Sequence, residues 1–322
     1  MSAQDRTLDH YHHLMQINAA SHFMRGAREL GVFDELRKGQ RTLEQLSEAL
    51  EIPAHPLDLL LDGLIAVGIV EQYEDDYALS RTAHLLCQYD DDLGDHQWQK
   101  LVGRVNDTSP RDSHDDQLRH NQVAATQWIH TPAAMQAAEI LDIAGEASET
   151  PYRVLDLGCG SAVWSCAMAH GNPTVSITCV DQPEALVAAQ STADSIELGD
   201  RFTAIAAAPE AAVLPSDEFD LVLIAQRLSA LGDDPAMELL KRAIGACRLG
   251  GRVAVIDQFG GPAKPSLAET LEAWRLELTT QAGRVRSLEE IQQMLSDLGL
   301  RSVQFAFIEA SKSNLGMAVG LK

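Results

Sequence analysis

Apolar positions along this chain change their spacing twice, and the changes divide it. From about Leu8 to Leu36, Leu14, Ile17, Ala20, Phe23, Met24, Ala27 and Leu30 recur every three or four residues, until Gly31 breaks the run. That is the spacing of an amphipathic helix. Thr42-Leu-Glu-Gln45 is a capping box that predicts a short helix to Leu50. Pro53 and Pro56 bracket a turn, and Leu57 to Val67 reads as a second helix stopped by Gly68. Ile69 to Tyr73 and Tyr77 to Leu79, around Asp75-Asp76, predict a two-stranded hairpin, after which Ser80 caps another helix. Helix, turn, helix and hairpin make a winged-helix pattern.

Asp90 to Gln122 is polar and reads as an irregular surface connection, with a helix around Gln97 to Val102. Trp128 to Ala144 reads as a helix with Pro132 near its start, and Glu146 to Pro151 as a linker. From Arg153 the pattern alternates. Short β-branched runs at Arg153–Leu157, Val175–Val180, Phe202–Ile205, Asp220–Ile224 and Arg252–Asp257 predict strands. Helical spacing falls near Ala162–His170, Pro183–Ser191, Ala236–Arg248 and Leu288–Leu298. Such alternation implies a parallel α/β sheet. The last two runs, Val303–Ile308 and Leu315–Gly320, are joined by a short polar turn and must pair antiparallel.

The stretch that organises the rest is Tyr152 to Trp164, YRVLDLGCGSAVW. A buried strand ends on Asp156, and Gly158 and Gly160 follow before a helix resumes. Glycine permits φ > 0 and lets backbone N–H groups approach a ligand. The helix N-terminus adds partial positive charge. A dinucleotide fingerprint requires a third glycine where Val163 stands. Asp181, 21 residues after Gly160, ends the second strand. A carboxylate there can accept both hydroxyls of a ribose.

Charge and cysteines narrow the function classes. The 322 residues carry a net charge of −22, which repels nucleic acid and anionic membranes. The second helix of the winged-helix pattern carries Asp58 and Asp62 and no basic residue, so DNA reading is not expected. Five cysteines lack metal-ligand spacing, and the His12-His13 pair and His22 have no third ligand. The polar start and the lack of a membrane-length apolar run imply a cytoplasmic, reduced protein. The apolar N-terminal helix, too short to bury its own face, implies a homodimer.

Several stretches together resemble one family: ARELGVFDEL, TLEQLSEAL, LLDGLIAVGIVEQ, VLDLGCG, VDQPEAL, FDLVLI, LGGRVAVID and RVRSLEEIQQMLSDLGL. They are similar to the small-molecule O-methyltransferases with an N-terminal winged-helix dimerisation domain, and the similarity covers nearly the whole chain. It implies a Rossmann-like class I methyltransferase sheet ending in an antiparallel hairpin. The domains would be residues 1–100 for dimerisation, 101–150 for a linker and acceptor-pocket helix, and 151–322 for S-adenosylmethionine (SAM) binding. The cofactor would be held by Asp156, Gly158, Gly160, Asp181, Gln182, Ala207 and Gln226. Trp128, Ile129 and Arg227 would line the pocket of a small-molecule acceptor.

The same resemblance exposes a departure. The family's base is a histidine just after the fourth strand, where this chain has Ser229. Two supporting acids align with Asp257 and with Val285, which is not an acid. The acid that holds adenine in the family falls at Ala206 to Ala208. Asp257, His130 and Ser229 are therefore the catalytic candidates. Methyl transfer would go to a nucleophile that needs no histidine base: a thioether, an amine, a carboxylate or an ionised oxygen. Two alternatives are SAM chemistry other than methyl transfer and a non-catalytic SAM-binding homodimer.

Overall fold

The computed structural model describes residues 3–89, 94–106, 113–143, 150–261 and 263–322. The acidic run Asp90–Asp92 and most of the linker expected from Glu146 lie outside the described residues. Two compact units emerge, Met1–His96 and Gln97–Lys322.

In the first unit one long helix, Ala3–Glu29, ends where Gly31 takes a φ of 79° and a short helix, Val32–Arg37, begins. The expected capping box is present: Gln45 N–H donates to Thr42 Oγ1 at 3.3 Å, and Thr42 N–H to Gln45 Oε1 at 3.0 Å. It opens helix Leu43–Leu50, which is followed by helix Ala54–Ala66. Strands Val70–Tyr73 and Asp76–Leu79 form the hairpin, and Arg41–Thr42 adds a third strand. Leu46, Leu57, Leu61 and Leu64 are fully buried in this unit's core. Burying each such side chain is worth roughly 1.5–3 kcal/mol. Leu14 and Ile17 of the long helix stay half exposed, at 53% and 50%.

The second unit is built on a seven-stranded sheet of β1 (Tyr152–Leu157), β2 (Val175–Asp181), β3 (Phe202–Ala206), β4 (Phe219–Ala225), β5 (Cys247–Asp257), β6 (Arg301–Phe307) and β7 (Gly316–Leu321). Their order is β6-β7-β5-β4-β1-β2-β3. Only β7 runs against its neighbours, pairing Met317 with Ile256 of β5 and Ala306 of β6. Successive residues of β1 face opposite layers. Val154 packs with Trp164, Met168 and Ile177, and Leu155 packs with Val222, Leu239 and Leu240. A sheet covered on both faces explains the unbroken apolar runs.

Two helices correct the expectations. Residues expected to be irregular form helix Ser113–Thr126, and helix Leu267–Thr279 was not expected at all. The first is held by polar bonds, not by an apolar stripe. Arg119 donates to Glu272 at 2.6 Å, and Asp116 accepts from the Gln281 N–H at 2.9 Å. The second starts at a capping box made by Ser266 and Glu269. The helix expected from Trp128 begins as a 3₁₀ turn, Gln127–His130, and continues as Thr131–Ile140 with Pro132 in its first turn.

Candidate active site

The strand order reverses between β1 and β4, which each leave the sheet in opposite lateral directions. A crevice at the carboxyl ends of such strands is where open α/β sheets bind ligands. Gly158 and Gly160 turn there with φ of +74° and +56°. A Cβ on Gly158 would come within 2.9 Å of the Arg227 stem, and one on Gly160 within 2.5 Å of Gln127 Oε1. Both positions therefore need glycine for backbone angle and for space.

Asp181 ends β2 fully buried. Its Oδ2 accepts from Gly160 N–H at 2.8 Å, and its Oδ1 from Gln182 N–H at 2.7 Å. His120 brings Nε2 to 2.6 Å from the same Oδ1. Strand end, Gly loop and helix Ser113–Thr126 thus meet on one carboxylate. Ala207 lies next to it, its N–H bonded to the Asp181 carbonyl at 3.0 Å.

Asp156 sits beneath the loop instead of lining it. It is fully buried and accepts from Ser165 Oγ at 2.6 Å, while its Oδ1 has no hydrogen-bond partner. Burial first, and then the charge of Asp181, push its carboxyl up to about 7, against the Ser165 bond. Gln127 closes the next stretch of the loop: its Oε1 accepts from Ser161 N–H at 2.9 Å and Ser161 Oγ at 3.2 Å.

The catalytic candidates fall in two groups. Asp257, at the end of β5, accepts Ser229 N–H at 2.9 Å on Oδ2 and Gln258 N–H at 3.0 Å on Oδ1. Burial raises this carboxyl above its ordinary range, opposed by those bonds and by the Ser229 hydroxyl. Ser229 is itself buried, and its carbonyl accepts from Arg284 N–H at 2.8 Å. Arg286 fixes the same turn by donating to the carbonyls of Leu228 and Leu231 at 2.7 and 2.9 Å. Val285, between these two arginines, offers no acid.

His130 belongs to a separate cluster. Gln226 Nε2 lies 3.1 Å from His130 Nε2, and Gln226 Oε1 accepts the Trp164 indole N–H at 3.2 Å. The His130 and Trp164 rings stack with centroids 5.8 Å apart. Gln226 takes a φ of +55°, an uncommon angle for a residue with a Cβ. Its neighbour Arg227 lies at the Gly loop, donating from Nε to Glu210 at 2.9 Å. Trp128 and Ile129 are 37% and 54% exposed on the turn that carries His130.

The structure thus adds His120, Gln127, Trp164 and Glu210 to the residues expected at the site. Trp164 and Gln127 lay beside motifs already noted. His120 and Glu210 carried no sequence signal, since only the fold brings them to the crevice. Among the described residues no cluster of side chains could hold a metal ion, and no helix is long and apolar enough to cross a membrane.

Comparison with known proteins identifies the family and the fold. The profile of the O-methyltransferase domain matches residues 84–301, and that of the O-methyltransferase dimerisation domain matches residues 12–88. The chain is 24% identical to an L-tyrosine C(3)-methyltransferase of Streptomyces lavendulae, over 90% of this chain and 86% of that protein. It is 23% identical to a 3-hydroxy-5-methyl-1-naphthoate 3-O-methyltransferase of Streptomyces sahachiroi, over 92% and 90%. Its fold is similar to that of the mitomycin 7-O-methyltransferase MmcR, with a TM-score of 0.75, 20% identity and 99% of each chain covered.

Proposed function

The chain belongs to the O-methyltransferase family, and from that premise we propose that it methylates an acceptor atom from which the protein need remove no proton. The coarser statement is secure: the protein is a SAM-dependent methyltransferase acting on a small-molecule metabolite. The observation that supports the finer reading is Ser229. It occupies the place of the family's base, and its backbone N–H donates to Asp257. A serine hydroxyl is not basic near neutral pH.

SAM supplies a methyl group on a cationic sulfonium. The residues present fit it: the Gly loop turns at the strand end beside Asp181, which offers a carboxylate there. In this reading Asp181 accepts the ribose hydroxyls, Gln182 and Ala207 flank the adenine, and Gly158, Gly160 and Gln226 border the amino-acid end. Asp156 stiffens the loop from below. Asp257 holds the turn of Ser229 and thereby shapes the acceptor side, with Trp128 and Ile129 at its mouth.

Suitable nucleophiles are a thioether, a neutral amine, a carboxylate or an ionised enol or phenol. For these, alignment alone supplies up to roughly 7–11 kcal/mol of the barrier. The two Streptomyces relatives are named for a phenol ring carbon and for a naphthol oxygen. An ionised phenol attacks through its oxygen with no proton left to remove, so it heads the panel of acceptors to test. Incubation with SAM and that panel, followed by chromatography, should yield S-adenosylhomocysteine. Methylthioadenosine as the main product would refute methyl transfer as the reaction.

Two further points belong to this reading. The dimerisation domain and the exposed Leu14 and Ile17 support a homodimer. The N-terminal helices with their hairpin are a winged helix used for association, and the free cysteines Cys159, Cys166 and Cys179 suit a reducing cytoplasm.

A further inference from the structure

The cluster of Trp164, Gln226 and His130 constrains a proton. An indole N–H can only donate. It therefore requires the oxygen of the Gln226 amide, as found at 3.2 Å. The amide nitrogen is then the atom that faces His130, at 3.1 Å from Nε2. An NH₂ group has no lone pair to offer, so His130 Nε2 must be the acceptor. Its ring proton is left on Nδ1.

We infer that Gln226 holds His130 as its neutral Nδ1–H tautomer with Nε2 engaged as an acceptor, so that His130 is not the base of the methyl-transfer site. Protonating Nε2 would set two donors against each other. Rotating the amide to relieve them would strand the buried indole N–H. Burial acts in the same direction, lowering the affinity of the ring for a second proton. The charged group that faces His130 is Glu272, from helix Leu267–Thr279, and its opposing pull is shared with Arg119 of helix Ser113–Thr126. Trp164 stacks on the ring as a neutral partner.

The backbone of Gln226 points to a dedicated role for this side chain. Its φ of +55° is held by an N–H bond to the Ile256 carbonyl at 2.7 Å, immediately beyond β4. Such an angle at a non-glycine residue persists where the surroundings fix it. The amide is therefore delivered between the two rings by main-chain geometry. An uncharged ring stacked on Trp164, in the first turn of the helix after the Gly loop, also leaves a cationic cofactor unopposed. That consequence rests on the methyltransferase reading, whereas the tautomer does not.

The test is NMR on the intact protein with ¹⁵N-labelled histidine rings. The His130→Gln spectrum assigns the His130 signal among the 11 histidines. Long-range proton–nitrogen spectra at about pH 7, with and without S-adenosylhomocysteine, should show a neutral ring protonated on Nδ1. Gln226→Glu replaces the amide by a carboxylate that accepts from both rings. His130 in that variant should move toward the doubly protonated form and titrate at least about one unit higher than in wild type. Wild-type His130 carrying its proton on Nε2, or doubly protonated at about pH 7, would overturn the inference, and this measurement is made on the wild-type protein, with His130→Gln used for assignment alone. An unchanged His130 signal in a folded Gln226→Glu protein would also overturn it. No acceptor is present in either measurement, so failure of a methyl-transfer assay is a separate result.

Discussion

The backbone N–H of Gly160 donates to Oδ2 of Asp181 at 2.8 Å. One buried carboxylate thus locks the Gly loop to the end of the neighbouring strand. Two effects follow from its removal. Asp181→Ala frees the loop, and it deletes charge-assisted bonds to a ribose worth roughly 1.5–3 kcal/mol each. Calorimetry should show SAM binding weakened on the order of a hundredfold. Equal affinity in wild type and variant would take Asp181 out of the cofactor site.

His120 competes for that carboxylate. About four lone-pair directions are available on it. Gly160, Gln182 and His120 already use three of them. Two ribose hydroxyls need two more, and the side chain of His120 is the donor free to rotate away. His120→Ala should therefore tighten SAM binding by about threefold to tenfold. Weaker binding would mean that His120 contacts the cofactor directly.

How far the sequence reveals this site depends on what kind of force holds each part. The strand–loop–helix at Asp156 to Val163 is legible because burial on both faces demands an unbroken apolar strand and the turn demands glycine. The terminal hairpin is legible because a short polar turn admits only antiparallel pairing. Helix Ser113–Thr126 is not legible, since Asp116, His120 and Arg119 find their partners 165, 61 and 153 residues away. Bonds of that kind leave no periodic apolar mark. Gln226 is hidden for a related reason: no local pattern requires a left-handed glutamine. Asp257 was readable as a strand-end acid, but its two backbone bonds emerge only once Ser229 and Gln258 are placed.

Asp156 gives the stability of the protein a pH dependence. Its carboxyl is raised to about 7, above the 3.8 of an ordinary aspartate that the unfolded chain keeps. The folded state thus holds a proton that the unfolded state has released. The associated stability is fully present below the unfolded value, is lost as pH rises, and is gone once pH passes about 7. Asp156→Asn mimics the protonated acid, and Ser165 can turn its hydroxyl to suit. The variant should gain over wild type at both values, by roughly 2–3 kcal/mol more at about pH 8 than at about pH 5, because most of the loss falls between those two values. Urea unfolding at both values measures the difference. A gain of equal size at the two would show that Asp156 is ionised throughout.

The N-terminal helix should associate. Leu14 and Ile17 remain half exposed in the single chain, on a helix that the dimerisation profile spans from residue 12. Obligate interfaces of this sort bury on the order of 2,000 Å² or more. Light scattering should give twice the 35.0 kDa chain mass at micromolar concentration. Leu14→Glu with Ile17→Glu should reduce it to the mass of one chain. A wild-type protein of single-chain mass would defeat the expectation.

Ser229 supplies the sharpest test of the base-free reading. Its N–H serves Asp257 and its carbonyl serves Arg284, so the backbone of the residue holds the turn. Removing the hydroxyl leaves the two backbone bonds intact. Ser229→Ala should accordingly cost less than about tenfold in turnover, well short of the roughly 10²–10⁴-fold that a positioned general base contributes. The pH–rate profile should follow the acceptor's own ionisation, or stay flat for a thioether, without an imidazole step near about 6.5. Asp257→Asn should do more harm than Ser229→Ala, because its amide can keep only one of the two backbone N–H bonds and the turn from Leu228 to Leu231 loses its anchor. Steady-state assays with the best acceptor from the panel decide the matter. A thousandfold loss in Ser229→Ala would mean that the hydroxyl takes part in the reaction, and the acceptor would then need the protein's help to ionise.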